Sequence, residues 1–200
     1  MSVENQIRNY ITRLPKGKIF FPEDFARFGS EEAVRQALHR MDKNEFLIRL
    51  AQGIYLYPKE DEVLGVLDPS LDEIARAIAK RDRARIIPTG IQALNTLGLS
   101  TQVPMKAVYL TDGAARDIQV GNSSIKFKRT TPKNLAVKGA ISGLVIQALR
   151  ALGKDHITQA QRKQIRELLQ KEDLGKLLHD ASLAPAWIRK IVLESKPQQA

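Results

Sequence analysis

The chain has 200 residues, 43% of them apolar, with 32 Lys and Arg against 22 Asp and Glu, a formal net charge of +10, and no cysteine. That length suits one large or two small domains with real cores. The lack of cysteine excludes disulfides and thiolate metal sites and fits a reducing cytosol.

The N-terminal Met-Ser-Val-Glu-Asn has no charged-then-apolar signal pattern. The longest apolar run, Leu144 to Ala151, is interrupted by Gln147 and Arg150 and falls short of the roughly 18 residues a membrane span needs. The expectation is a soluble, cytoplasmic protein with no membrane partner. A basic excess favours an anionic partner, most simply nucleic acid. The excess is uneven: +2 over residues 1–60 (ten cations, eight anions), +3 over 61–134 and +5 over 135–200. Either the first third concentrates its charge on one face, or later segments also touch nucleic acid or an acidic protein.

Val3, Ile7, Tyr10, Ile11 and Leu14 recur at helical spacing and predict a first amphipathic helix, broken at Pro15-Lys16-Gly17-Lys18. Ile19-Phe20-Phe21 reads as a short strand and Pro22 to Phe28 as a brief second helix ending at Gly29. Ser30 is a good N-cap, and Glu31 and Glu32 sit where the helix dipole favours negative charge. Ala33, Val34, Ala37, Leu38 and Met41 then fall on one arc at about 100° per residue, which predicts a third helix facing the core on that side. Its opposite face carries Glu32, Arg35, Gln36, His39 and Lys43, with Arg40 at the margin. Arg and Gln can bond base edges, and Lys and His more often meet phosphates. By itself such a face is equally an ordinary solvated one.

The segment after this helix separates the two readings. Phe46 to Leu50 and Ile54 to Tyr57 are strand-like runs joined by Ala51-Gln52-Gly53, with glycine where a positive φ is needed, and Pro58 ends the second. Two short helical segments, a third helix and a hairpin make the order of a winged helix-turn-helix, whose second helix of the pair enters the major groove. Its candidate DNA contacts are Arg35, Gln36, His39, Arg40 and Lys43 on the helix, Arg49 on the hairpin, and Lys16 and Lys18 in the break.

Lys59-Glu60-Asp61-Glu62 reads as an acidic-leaning linker and Leu67-Asp68-Pro69-Ser70 as a break. Ser70 or Asp72 can cap a helix through about Arg83 with Ile74, Ala75, Ile78 and Ala79 inward. The cluster Lys80 to Arg85 is either a solvated helix end complementing the dipole or a phosphate contact. Ile86 to Gly90 leads into a helix over Ile91–Leu97 ended by Gly98, and three strands are expected at Lys106–Thr111, Asp117–Val120 and Ser124–Arg129, turning at Asp112-Gly113 and Gly121-Asn122.

The run IIPTGIQALNTLGLSTQVP, followed by VYLTDGAARDIQVGNSSIKFKR, resembles the central domain of the AbiE-type antitoxins, the transcriptional-regulator half of bacterial type IV toxin–antitoxin pairs. Its most specific parts are Thr89-Gly90, Ala93-Leu94, Leu97-Gly98-Leu99 and the strand Tyr109-Leu110-Thr111, together with the Gly53-Ile54-Tyr55 strand upstream. The resemblance covers roughly residues 1–150. It implies repression of the protein's own promoter through the winged helix, and neutralisation of a nucleotidyltransferase-like toxin encoded beside it. An operator of paired half-sites would be read by a homodimer or by monomers binding cooperatively. The alternative is a protein-interaction module in which the winged helix and the basic surface bind an acidic protein partner instead of DNA.

The last third reads as helical. Ile141, Leu144, Val145, Ala148, Leu149 and Leu152 make a helix apolar on most sides, closed by Gly153. Thr158 and Gln161 form a capping box for a helix with Ile165, Leu168 and Leu169 inward. Leu174, Leu177 and Leu178 make a short stripe, and Pro185 suits the first turn of a final helix carrying Trp187, Ile188, Ile191 and Val192. Trp187 suits a core anchor better than a partner contact, and Ser195 to Ala200 are expected to fray.

No enzyme signature emerges. Asp112 and Asp117 flank a basic strand, but Asp112-Gly113 is a turn dipeptide and Asp117 has no acidic partner at useful spacing for a nuclease. His39, His156 and His179 lack ligand spacing. Gly139-Ala140-Ile141-Ser142-Gly143 would cradle a phosphate only with a following Lys-Ser/Thr, which is missing, so close helix packing is expected there. The overall expectation is an α+β, mainly helical chain: a winged helix over 1–60, a central α/β domain over 61–135, and a helical segment over 136–200 packed on the central domain. No metal, cofactor or catalytic residue is expected.

Overall fold

A computed structural model describes residues 1–102 and 104–197. The fold is mixed α+β, and its internal contacts divide it into one unit of residues 1–77 with Gln119–Gly121 and a second of residues 78–118 and 122–200.

In the first unit, α1 (Val3–Ile11) starts at Ser2, whose hydroxyl accepts from the Asn5 amide at 3.2 Å. The strand β1 (Ile19–Phe20) is followed by a helical stretch over Pro22–Phe28 that is 3-10, not α. Next come α2 (Glu31–Lys43), β2 (Ile48–Ala51) and β3 (Ile54–Leu56). The three strands form one antiparallel sheet in the order β1-β3-β2, with Ile19 opposite Leu56 and Arg49 opposite Tyr55. Gly53, at φ 70°, makes the tight turn of the hairpin.

Phe46 and Leu47, expected in the hairpin strand, lie outside it. Glu45 takes a left-handed φ of 56°, and the next two amides donate back to the Met41 carbonyl at 3.0 and 3.2 Å, closing α2 before β2 begins. One core joins Ile7 and Ile11 of α1, Phe20 and Phe25, Val34, Ala37, Leu38 and Met41 of α2, and Tyr55.

The acidic linker is not structureless either. β4 (Glu60–Asp61) and β5 (Gly65–Val66) make a small antiparallel hairpin, whose turn is closed by Asp61 accepting the Val63 and Leu64 amides at 2.9 and 3.0 Å. The Val63 and Leu64 side chains at its tip are 89% and 75% exposed. α3 (Leu71–Arg81) is capped by Ser70, whose hydroxyl accepts from the Glu73 amide while the Glu73 carboxylate accepts from Ser70 N–H. It stops at Arg81, two residues short of the expected end, and Arg83 turns to φ 52°.

The second unit holds a four-stranded sheet of β6 (Ile86–Pro88), β7 (Lys106–Thr111), β8 (Arg116–Val120) and β9 (Ser123–Arg129) in the order β6-β7-β9-β8. β6, which the sequence suggests only as a lead-in, pairs antiparallel with β7 despite Pro88. β7 and β9 run parallel, Ala107 opposite Ile125 and Tyr109 opposite Phe127. Between β6 and β7 lies α4 (Ile91–Thr96).

After the sheet come the helices α5 (Pro132–Leu135), α6 (Ala140–Leu152), α7 (Gln159–Leu169), α8 (Leu174–Leu183) and α9 (Ala186–Glu194). The short α5 has no periodic signature in the sequence. Val145, Ile146, Ala148 and Leu149 of α6 share one core with Ala93, Leu94 and Leu97 around α4 and with apolar residues of α7, α8 and α9, and Trp187 packs half-buried against it.

Three expectations at this end are corrected. Leu178 points outward, 45% exposed. Pro185 is the N-cap of α9 and not its first residue. Ser195 does not fray: its hydroxyl donates to the Ile191 carbonyl at 2.8 Å, and the Gln170 side chain donates to the Ser195 and Lys196 carbonyls at 3.1 and 3.0 Å. Residues 198–200 lie outside the described residues. Among the described residues, no helix is long and apolar enough to cross a membrane.

Candidate nucleic-acid interface

α2 forms where expected because its cap, its first turn and its apolar arc agree. Ser30 Oγ accepts from the Ala33 amide at 3.3 Å, Glu31 and Glu32 occupy the first turn, and Val34, Ala37, Leu38 and Met41 are buried. Burying that arc leaves Glu31, Glu32, Arg35, Gln36, His39, Arg40 and Lys43 exposed. Among these, His39 and Lys43 make no side-chain hydrogen bond or ion pair to another described residue.

The other three candidates on the helix are engaged by acids. The Arg35 guanidinium bonds the Glu31 carboxylate one turn back. Gln36 Nε2 donates to Glu32 Oε1 at 3.4 Å, and Arg40 Nε donates to Glu4 Oε2 of α1 at 2.8 Å. Two of these pairs are legible in the sequence as acids four residues before a donor. The Glu4–Arg40 pair is not, since it depends on how α1 packs on α2.

Arg49 is exposed on β2, and its backbone N–H donates to Asp42 Oδ1 at 3.0 Å, which ties the hairpin to the last turns of α2. Tyr55 stands opposite it in the ladder. Burial raises the Tyr55 phenol and the Asp42 charge adds to that, against the lowering effect of Arg49. Lys16 and Lys18 are exposed in the loop before β1. That loop joins the far end of the hairpin, because Gly17 N–H donates to the Tyr57 carbonyl at 2.7 Å and Tyr57 N–H to the Lys18 carbonyl at 2.9 Å. The Lys18 ammonium sits 5.5 Å from the Phe20 ring centre. The helix thus groups Arg35, Gln36, His39, Arg40 and Lys43 on one element, Arg49 is tethered beside its end, and Lys16 and Lys18 lie past the strand ends, away from the Gly53 turn.

Two cations that sequence reasoning left out are stacked on rings in the same unit. Arg8 lies over Phe46 at 4.1 Å, and Arg27 over Tyr10 at 4.5 Å and Phe28 at 4.7 Å. Only the mixture of aromatic and basic residues hints at them.

The remaining candidates resolve into structural roles. Asp112 accepts from the Arg85 amide at 2.7 Å and the Arg85 guanidinium at 2.8 Å, which hold its carboxyl below the usual range. Asp117 pairs with Lys126 at 3.0 Å. Arg81 and Arg116 both bond Asp82, which engages part of the Lys80–Arg85 cluster. Among the described residues, no group of three or more His, Asp or Glu side chains is placed to hold a metal ion.

The glycine-rich start of α6 is filled by the chain's own carboxylates. Glu172 Oε2 accepts from the Ile141 and Ser142 amides at 2.8 and 3.0 Å. Asp180 accepts from the Lys138 and Gly139 amides at 2.8 Å each and from Ser142 Oγ at 2.6 Å, with His179 Nδ1 at 2.9 Å. A Cβ at Gly139 would collide with Ser142 Oγ and the Glu172 carboxylate, so glycine is required by the closeness of these two groups. Burial raises the Asp180 carboxyl, and the bonds from Ser142, His179, Lys138 and Gly139 outweigh it to hold the group below the usual range. The Ser142 hydroxyl bonds the Asp180 carboxylate and not the imidazole.

A family model described as a family of unknown function (DUF6088) matches residues 6–177. No curated protein matches. A crystal structure of the RV2827C protein from Mycobacterium tuberculosis is similar over 99% of this chain and 83% of that one, with a TM-score of 0.48 and 12% sequence identity.

Proposed function

The chain belongs to the family of unknown function DUF6088, and from that premise we propose that it is a cytoplasmic, non-enzymatic DNA-binding regulator of the antitoxin type. In this reading residues 1–60 act as a winged helix, α2 lies in the major groove of the protein's own promoter, and the β2–β3 hairpin is the wing. The observation that carries the proposal is the exposed face of α2, with Arg35, Gln36, His39, Arg40 and Lys43 on a helix anchored by a buried arc and followed directly by a glycine-turned hairpin. That arrangement offers base-edge donors on a rigid element, with Arg49 tethered beside it and Lys16 and Lys18 exposed in the same unit for phosphates.

The antitoxin half of the proposal rests on the resemblance over residues 86–129 and names a nucleotidyltransferase-like toxin as the protein partner. On promoter DNA the chain acts as a homodimer or as cooperating monomers, and it needs no cofactor. The test uses the full-length protein with Arg35→Ala and Gln36→Ala. Each is expected to weaken promoter binding by about 1–3 kcal/mol while rescue of cells from the neighbouring toxin persists. Absence of a salt-dependent preference for promoter over scrambled DNA in the wild type would sink the regulator reading.

A second reading has specific support. The first 60 residues carry a net charge of only +2, and the β4–β5 hairpin, which includes Glu60, Asp61 and Glu62, exposes Val63 and Leu64. A protein-interaction module would use such a surface, and it predicts that Val63→Asp with Leu64→Asp abolishes partner capture while leaving any DNA binding intact.

A further inference from the structure

Most of the candidate donors on the polar face of α2 are not free. Arg35 is bonded to Glu31, Gln36 to Glu32 and Arg40 to Glu4, so three of the five helix groups expected to contact DNA are held by carboxylates of the same unit. Wound at about 100° per residue, Glu32 shares the centre line of the exposed face with His39 and Lys43, so the reading face is acidic at its N-terminal end and basic at its C-terminal end. In helix-turn-helix docking it is the N-terminal residues of the second helix that meet base edges.

We infer that Glu4, Glu31 and Glu32 are specificity-determining residues: they mask the reading face against DNA of arbitrary sequence. This inference rests on the DNA-binding proposal above. On random duplex the available partners are phosphates, which the protein must meet wherever they fall. A guanidinium that turns to a phosphate either leaves its carboxylate unpaired or draws two anions together, whereas a base edge carries no charge, so each phosphate contact is taxed. At a matching site the pairs stay. Arg35 gives one Nη to Glu31 and Arg40 gives its Nε to Glu4, and each keeps further N–H groups for a base edge. The carboxylate then orients the fork and reduces the rotamer freedom lost on binding. Glu32 adds a direct discriminator, since a carboxylate in the major groove accepts from the cytosine amine and is repelled by the O6 and N7 acceptors of guanine.

The pairs on α2 are exposed, so the effect per residue is modest. Glu31→Gln and Glu4→Gln, in the full-length protein, are each expected to raise affinity for random duplex about threefold at low salt. Affinity for the promoter fragment is expected to change less, so that the ratio of the two falls. The salt dependence on random DNA steepens by about one unit of slope for each phosphate newly engaged. Glu62→Gln, an exposed acid off the helix, serves as the control for a general change of charge.

The inference is overturned if the two substitutions raise promoter and random affinity equally, if Glu62→Gln does as much, or if random affinity does not move. If neither the wild type nor the unmasked variants bind duplex at all, the DNA-binding proposal fails, and this inference with it. Binding of random duplex by the variants but not by the wild type supports masking directly.

Discussion

The polar face of α2 and the start of α6 both have donors held by carboxylates, and the two differ in what surrounds them. Glu31 and Glu32 of α2 and Glu4 of α1 each hold one long side chain of α2 at the surface, where water screens the pair and offers the exposed partner a replacement. At the start of α6, Asp180 is fully buried and gathers four donors, while Glu172 takes two amides beside it. The same chemistry therefore serves opposite ends. An exposed pair contributes little to stability and can be broken without unfolding the helix. A buried cluster cannot be exchanged, because nothing else reaches its donors. In the glycine-rich helix start that looks like a phosphate cradle, the Lys138, Gly139, Ile141 and Ser142 amides are thereby already taken.

The largest expected effect lies at the buried end. Asp180→Ala strands the Lys138 and Gly139 amides, the Ser142 hydroxyl and the His179 ring at once. The expected cost is about 3–5 kcal/mol, read as a lower urea midpoint for the unfolding of the helical unit. A cost under about 1 kcal/mol would erase the contrast between the buried and the exposed acids.

The pH dependence sharpens it. The folded carboxyl of Asp180 is held below its unfolded value, so its contribution is complete at neutral pH. The contribution declines as pH drops below the unfolded aspartate value of about 3.9 and is gone once pH passes the folded one. The stability curves of wild type and Asp180→Asn should accordingly run apart at pH 7 and converge in strong acid. Parallel curves down to pH 2 would show that the charge of Asp180 plays no part.

The contrast also explains what can be read from the sequence. α2, its Ser30 cap and the Gly53 turn are legible because propensity, capping and apolar spacing all act within a dozen residues. The capping box at Thr158 and Gln161 is legible for the same reason. β6 escapes notice because three residues ending in proline have no periodicity, and the β4–β5 hairpin because its strands are two residues each, the first of them acidic. Phe46 and Leu47 look like strand by composition, but the left-handed Glu45 turns them back onto α2. The parallel pairing of β7 with β9 and the reach of Glu172 and Asp180 to α6 join residues far apart in the chain, and no local pattern encodes them. At the candidate interface the donors are legible and their acids only in part: Glu31 and Glu32 by spacing, Glu4 not at all.

An intermediate effect belongs to the cap of α2. Ser30→Ala removes one acceptor from an exposed helix start that water can partly re-solvate, so about 1 kcal/mol of stability is expected to be lost. Chemical denaturation of the N-terminal unit measures it. A loss as large as that for Asp180→Ala would mean that burial does not decide the scale.

The smallest effect is the most discriminating. Glu31→Gln breaks the surface pair with Arg35 while leaving a polar side chain in the first turn of α2. It forgoes an i,i+4 pair and some favourable interaction with the helix dipole, together worth no more than about 0.5–1 kcal/mol. Against that small change in stability stands the expected rise in affinity for random DNA. A residue that matters little to folding and measurably to selectivity is placed for recognition. If Glu31→Gln instead lowers stability by several kcal/mol, the pair belongs with the buried cluster, and the acids on α2 hold the fold and not the specificity.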